Sequence, residues 1–141
     1  MQGFRVPAML LMMDMLGVFA TCPRTVVGAQ ENAGNVAFYT ERVVPILSRS
    51  CYSCHGGMNH RGGFNMATKA GMLKGGKDGV TVIPGDPAKS LLVLLMRHEG
   101  PADDPMPMPP APRPKVSDAD IAVVEQWVKA GALMPADVAK P

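Results

Sequence analysis

The chain has 141 residues, a formal net charge of +2, and aromatic residues at only 5% against 47% hydrophobic residues overall. That length fits one small domain. A near-neutral balance carries no charge signature of a nucleic-acid or membrane-surface partner, and neither is expected. So few aromatic residues are a thin supply for a core, and a bound flat apolar group would add the missing bulk.

Residues 1–29 read as an export leader. Met1 to Arg5 carry one positive charge, and Val6 to Ala20 are mostly apolar, interrupted by Asp14. The run is shorter than the ~20 residues of a membrane span and fits the apolar region of a signal peptide. Val27-Gly28-Ala29 supplies small residues for cleavage, with Val18-Phe19-Ala20 as a second place. An uncleaved N-terminal anchor is the rival reading. Phe19-Ala20-Thr21 before Cys22 is a poor lipoprotein signal, so Cys22 is expected to leave with the leader. Without residues 1–29, the remaining 112 carry 12 basic and 11 acidic side chains, a net charge of +1. The expected location is the periplasm or another exported space.

Asn35 to Ser50 is predicted as the first helix, with Val36, Tyr39, Val43, Ile46 and Leu47 near one face. Pro45 lacks a backbone donor, so a kink or restart is expected near Val44. The helix leads into Cys51-Tyr52-Ser53-Cys54-His55, a C-x-x-C-H run, which is the attachment signal of c-type haem. Two cysteines three apart lie on roughly one face of a helical turn. Both sulfurs then reach the vinyl groups of one porphyrin, and His55 meets the iron from the same side. A dithiol redox motif expects a strand-helix context that is missing here. Zinc expects a second ligand pair, and only His60 and His98 remain. A structural disulfide across so tight a loop is the third rival. Thioether-linked haem is assembled outside the cytoplasm, which agrees with the leader.

Gly56 to Gly79 is glycine-rich and irregular, suited to close approach against a flat ligand. It lacks the spacing of a phosphate loop. A short helix is expected within Met66 to Leu73, and a short extended piece over Val80 to Ile83. Pro84-Gly85-Asp86-Pro87 is a turn, with Asp86 as N-cap and Pro87 at the first position of a helix running through Lys89 to Arg97. That helix is apolar nearly all round and should be buried on more than one side.

Pro101 to Pro114 holds seven prolines in fourteen residues and cannot be helical. Its plain reading is a solvated polyproline linker. It also carries Met106 and Met108, and a stiff loop can hold a weak thioether ligand at low entropic cost. Ser117 with Asp120 makes a capping-box-like start to the last helix, whose apolar face is Ile121, Val124, Trp127 and Val128. Gly131 ends it. Ala132 to Pro141 is expected to be loosely held.

In order along the chain, these pieces resemble the planctomycete-type cytochrome c domain, within the class I-like c-type cytochromes. They are Val44-Pro45-Ile46-Leu47 ahead of Cys51-x-x-Cys54-His55-Gly56, then Gly62-Gly63, Gly75-Gly76, and Pro84-Gly85-Asp86-Pro87 with Ser90-Leu91-Leu92. Met108-Pro109-Pro110 and Trp127-Val128-Lys129-Ala130-Gly131-Ala132 complete the set. The likeness covers about residues 36–135, and Leu133-Met134-Pro135 departs from it where a tryptophan is expected. It implies an all-α, small cytochrome c-like fold wrapped around one covalently attached haem, with long Gly- and Pro-rich loops. The domain is drawn over residues 30–135, with 136–141 as a flexible tail.

The same resemblance implies Cys51 and Cys54 as thioether residues, His55 as proximal iron ligand and Met108 as distal ligand. Met106 is the local rival, and Met96, His60 and His98 are weaker ones. The expected function is a monohaem one-electron carrier, not a substrate-converting enzyme. It would be a monomer with transient, exported electron-transfer partners. The alternatives are a haem-bearing docking subunit of a larger complex, and a haem enzyme or gas sensor with a labile distal ligand. Lys69, Lys74, Lys77 and Lys89 are read as solvated charge, with partner steering as the sharper alternative.

Overall fold

The structure, a computed structural model, describes residues 32–136. The predicted leader, with Cys22 and both cleavage positions, and residues 137–141 of the predicted tail lie outside the described residues.

Helix α1 spans residues 36–50 in three consecutive pieces: an α turn Val36–Phe38, a wider π turn Tyr39–Val43, and an α segment Val44–Ser50. Asn35 caps it, its Oδ1 accepting from the Phe38 amide at 2.8 Å. The π turn is the form the expected kink takes. A proline ring inside a regular helix collides with the carbonyl four residues back, and widening the preceding turns makes room for Pro45. The wide turn also rotates the start of the helix against the remainder. Phe38 is therefore buried, while Val36, expected on the apolar face, is 42% exposed.

Helix α2 (Tyr52–His55) follows after Cys51, then a 3₁₀ turn Arg61–Gly63 and helix α3 (Lys69–Lys74). The short helix expected from Met66 starts at Lys69 instead, because Thr68 takes the cap, its Oγ1 accepting from Gly71 N at 3.0 Å.

Helix α4 is Leu91–Arg97, shorter than expected. Asp86 does cap, accepting from Lys89 N at 3.1 Å, but what it caps is a single turn. The chain then breaks at Ser90, which is wholly buried and extended, with φ −76° and ψ 113°. Its hydroxyl contacts the Asp86 carbonyl at 2.8 Å and both the amide and the carbonyl of Ile83, at 2.9 and 3.3 Å. Those bonds fold residues 81–90 back on themselves and delay the helix. The Leu92 amide, in the first turn of α4, donates to the Thr81 carbonyl at 2.9 Å.

Helix α5 (Asp118–Lys129) starts as expected, with Ser117 Oγ accepting from Asp120 N at 3.2 Å and donating to Asp120 Oδ2 at 2.7 Å. It crosses α1 and also packs on α4. At the first crossing the Tyr39 and Trp127 rings lie 5.2 Å apart and 36° from parallel. The expected loose tail is corrected at its start. Ala132 and Met134 are buried, and Leu133 O accepts from Trp127 Nε1 at 2.9 Å. A buried indole N–H needs an acceptor, and the chain after Gly131 supplies it.

The core joins α1, α4, α5 and the start of α2. Among the described residues there is no strand, only an isolated bridge between Gly76 and Gly79, so the fold is all-α. No helix among them is long and apolar enough to cross a membrane.

Candidate haem site

The C-x-x-C-H turn is built as its spacing requires. The amides of Cys54 and His55 both donate to Cys51 O, each at 3.0 Å, winding α2 directly after α1. Gly56 ends that turn in an extended conformation, and its amide closes on Tyr52 O at 2.9 Å. The His55 carbonyl accepts from Met66 N at 2.7 Å, which ties the glycine-rich segment back to the motif.

Cys51, Cys54 and His55 all border one cavity of about 1050 Å³, counting its open mouth. Phe64, Met66, Leu91, Leu92, Leu95 and Met96 give it apolar walls. This accounts for α4, predicted to be buried on more than one side. Val93 is buried in the core, while Leu91 and Leu95, on the cavity face, are only half-buried.

Met106 and Met108, from the proline-rich segment, line the same cavity. They are held differently. The Met108 amide donates to Leu95 O at 3.0 Å, which pins that residue to α4. Met106 sits in a left-handed backbone conformation, with φ 37°, that a non-glycine residue rarely adopts. Of the weaker rivals, Met96 also borders the cavity but is a core residue, 1% exposed. His60 and His98 are exposed, and neither borders it.

The electrostatics follow from burial. Removal from water lowers the His55 pKa, with the backbone at Arg61 and Phe64 partly offsetting this. A neutral imidazole is the form that binds a metal. The ring lies 5.5 Å from that of Phe64, and Nδ1 is buried with no hydrogen-bond partner. Burial pushes the Cys51 thiol up to about 11, the Arg113 guanidinium acting in the opposite sense. A buried thiol held protonated is a poor metal ligand without a strong partner. Among the described residues no three His, Cys, Asp or Glu side chains come together as a metal site, so the zinc reading lacks its ligands.

The residues fit a haem. Two free thiols and an imidazole stand on one short turn, the walls are apolar, and thioethers lie on a separate segment of the lining.

Two features escaped sequence reasoning. The glycine pairs approach each other as well as the cavity: the Lys77 amide bonds Gly62 O at 2.7 Å, and a methyl group on Gly76 would stand 2.7 Å from that oxygen. Arg113 Nη1 donates to Ser53 Oγ at 2.8 Å, joining the methionine segment to the motif across sixty residues. Neither pairing has a local pattern by which it could be found.

An all-α fold that presents C-x-x-C-H to a large apolar cavity has the features of the c-type cytochrome class. Within that class, residues 51–112 match the family described as Planctomycete cytochrome C, from the first motif cysteine to the last residue before Arg113. The match leaves α1 and α5 outside, although the resemblance was expected over about 36–135. Comparison with curated proteins and with solved structures found no match.

Proposed function

We propose that the protein is a monohaem c-type cytochrome that carries single electrons between exported partners. One observation carries this reading: the cavity brings Cys51, Cys54 and His55 together with the methionine segment from far along the chain. The family match over residues 51–112 supports it. Haem, when bound, supplies an iron that gains and loses one electron, and a thioether opposite an imidazole favours its reduced state over a second imidazole.

The chain's own residues do the remaining work. Cys51 and Cys54 fix the cofactor through thioethers, and His55 serves as the proximal ligand. Met108 serves as the distal ligand, favoured over Met106 by its amide bond to α4. Haem held by both His55 and Met108 would pass electrons without converting a substrate. The leucines of α4 and Phe64 keep water from the ring. The protein works as a monomer, in the periplasm or a similar exported space, and meets its partners transiently. Of the four lysines read as surface charge, Lys77 alone borders the cavity, which makes it the one best placed to steer an encounter.

Spectra of the haem-loaded protein test the ligand assignment. Met108→Ala is expected to abolish the thioether-to-ferric charge-transfer band and open the ferrous form to carbon monoxide, while Met106→Ala keeps both properties of the wild type. Ready carbon monoxide binding by the wild type at neutral pH would instead favour an enzyme or gas sensor.

A further inference from the structure

The proline-rich segment is fastened at two places. Upstream, the Met108 amide donates to Leu95 O at 3.0 Å. Downstream, Arg113 donates to Ser53 Oγ at 2.8 Å and closes a small turn with its own amide on Pro110 O at 3.1 Å. Between the two ties lie Pro109, Pro110 and Pro112, stiff residues that transmit a restraint along the chain. Met106 lies outside the fastened span. Ser53 is inside the C-x-x-C-H motif, and its carbonyl accepts from Asn59 Nδ2 at 3.1 Å, which anchors the receiving end.

We propose that Arg113 is a positioning residue: through Ser53 it straps the Met108 segment to the haem-attachment turn and so sets how readily the distal methionine leaves the iron. This rests on the reading of Met108 as distal ligand. Arg113 and Ser53 are both exposed, so their bond competes with water and is modest. It restrains a local segment that has few other hydrogen bonds, and its loss shows in the lability of that segment more than in global stability. Arginine suits the role, because its planar fork is pre-organised and loses less freedom per bond than a lysine.

The test uses haem-loaded protein with Ser53→Ala, Arg113→Gln, Arg113→Lys, the Ser53→Ala/Arg113→Gln double variant, and Lys115→Gln as a control on the same segment. Two quantities are read: the rate at which imidazole displaces the methionine from the ferric form, and amide hydrogen exchange at Met108. Ser53→Ala and Arg113→Gln are each expected to raise both by about three- to tenfold, the range of one net hydrogen bond. The double variant should go no further than either single one, since both remove the same contact. Arg113→Lys should recover part of the effect, and Lys115→Gln should match the wild type. Rates within twofold of wild type in both single variants, or multiplicative effects in the double variant, would overturn the strap. A wild type without a thioether band would overturn the ligand reading alone, and Met108 exchange would still decide whether the strap exists.

Discussion

Gly56 follows His55 directly, and a methyl group there would stand 3.0 Å from both Cβ and Cγ of Tyr52. Its backbone is extended, so the cost of a side chain is crowding and not a forbidden dihedral. Gly56→Ala is expected to destabilise the haem-loaded protein by about 1–3 kcal/mol in urea unfolding, because the neighbouring atoms belong to a buried residue with little room to yield. At this scale the motif was legible, since covalent attachment demands a fixed local spacing of Cys51, Cys54 and His55. Ser53 was a spacer in that pattern, and its bond to Arg113 depends on how the intervening chain returns. The choice between Met106 and Met108 was open for the same reason. Two methionines two apart in a proline run look alike in the sequence, and the bond of the Met108 amide to α4 depends on how the chain folds back.

Among the elements, α1 and α5 were legible because their apolar residues recur at helical spacing, and α5 also because its cap, Ser117, is local. The start of α4 was not. Asp86 and Pro87 signal a helix, and they make one turn of it, but the Ser90 hydroxyl has three partners in the preceding loop that no periodicity reveals. Ser90→Ala should therefore cost more than Asp86→Ala. We expect about 2–3 kcal/mol for the first, from buried backbone groups left short of a partner, and a smaller loss for the second, measured by denaturant unfolding. The ends of α1 and α5 are joined by an ion pair of 2.7 Å between Arg49 and Asp120. Arg49 and Ser117 hold the Asp120 carboxyl below its ordinary 3.8. The folded pKa is the lower one, so the pair contributes fully above 3.8 and its contribution fades as the pH falls through the folded value. Both side chains are partly solvated, and the contribution is at most about 1 kcal/mol. Asp120→Asn should shift the unfolding midpoint slightly at pH 7, and by less as the pH is taken down below 3.8.

For the whole molecule, the shortage of aromatic residues has a spatial counterpart. Trp127 and Tyr39, both wholly buried, seal the contact of α1 with α5, while the far side of α4 faces an apolar cavity open at its mouth. A flat apolar group seated there would add the bulk that the few aromatic residues do not supply. The Gly- and Pro-rich segments that close around it carried only their composition in the sequence. Their crossings, such as Gly62 with Lys77 and Gly76, arise from contacts between distant residues. The proposed covalent attachment of haem is the claim that everything functional depends on. The direct measurement is the intact mass of the exported protein, made in a host able to mature c-type cytochromes and unfolded in acidified organic solvent. The account predicts one haem per chain retained under those conditions, and its loss when Cys51 and Cys54 are both changed to serine. A colourless chain, or pigment that extracts freely from the unfolded protein, would contradict it.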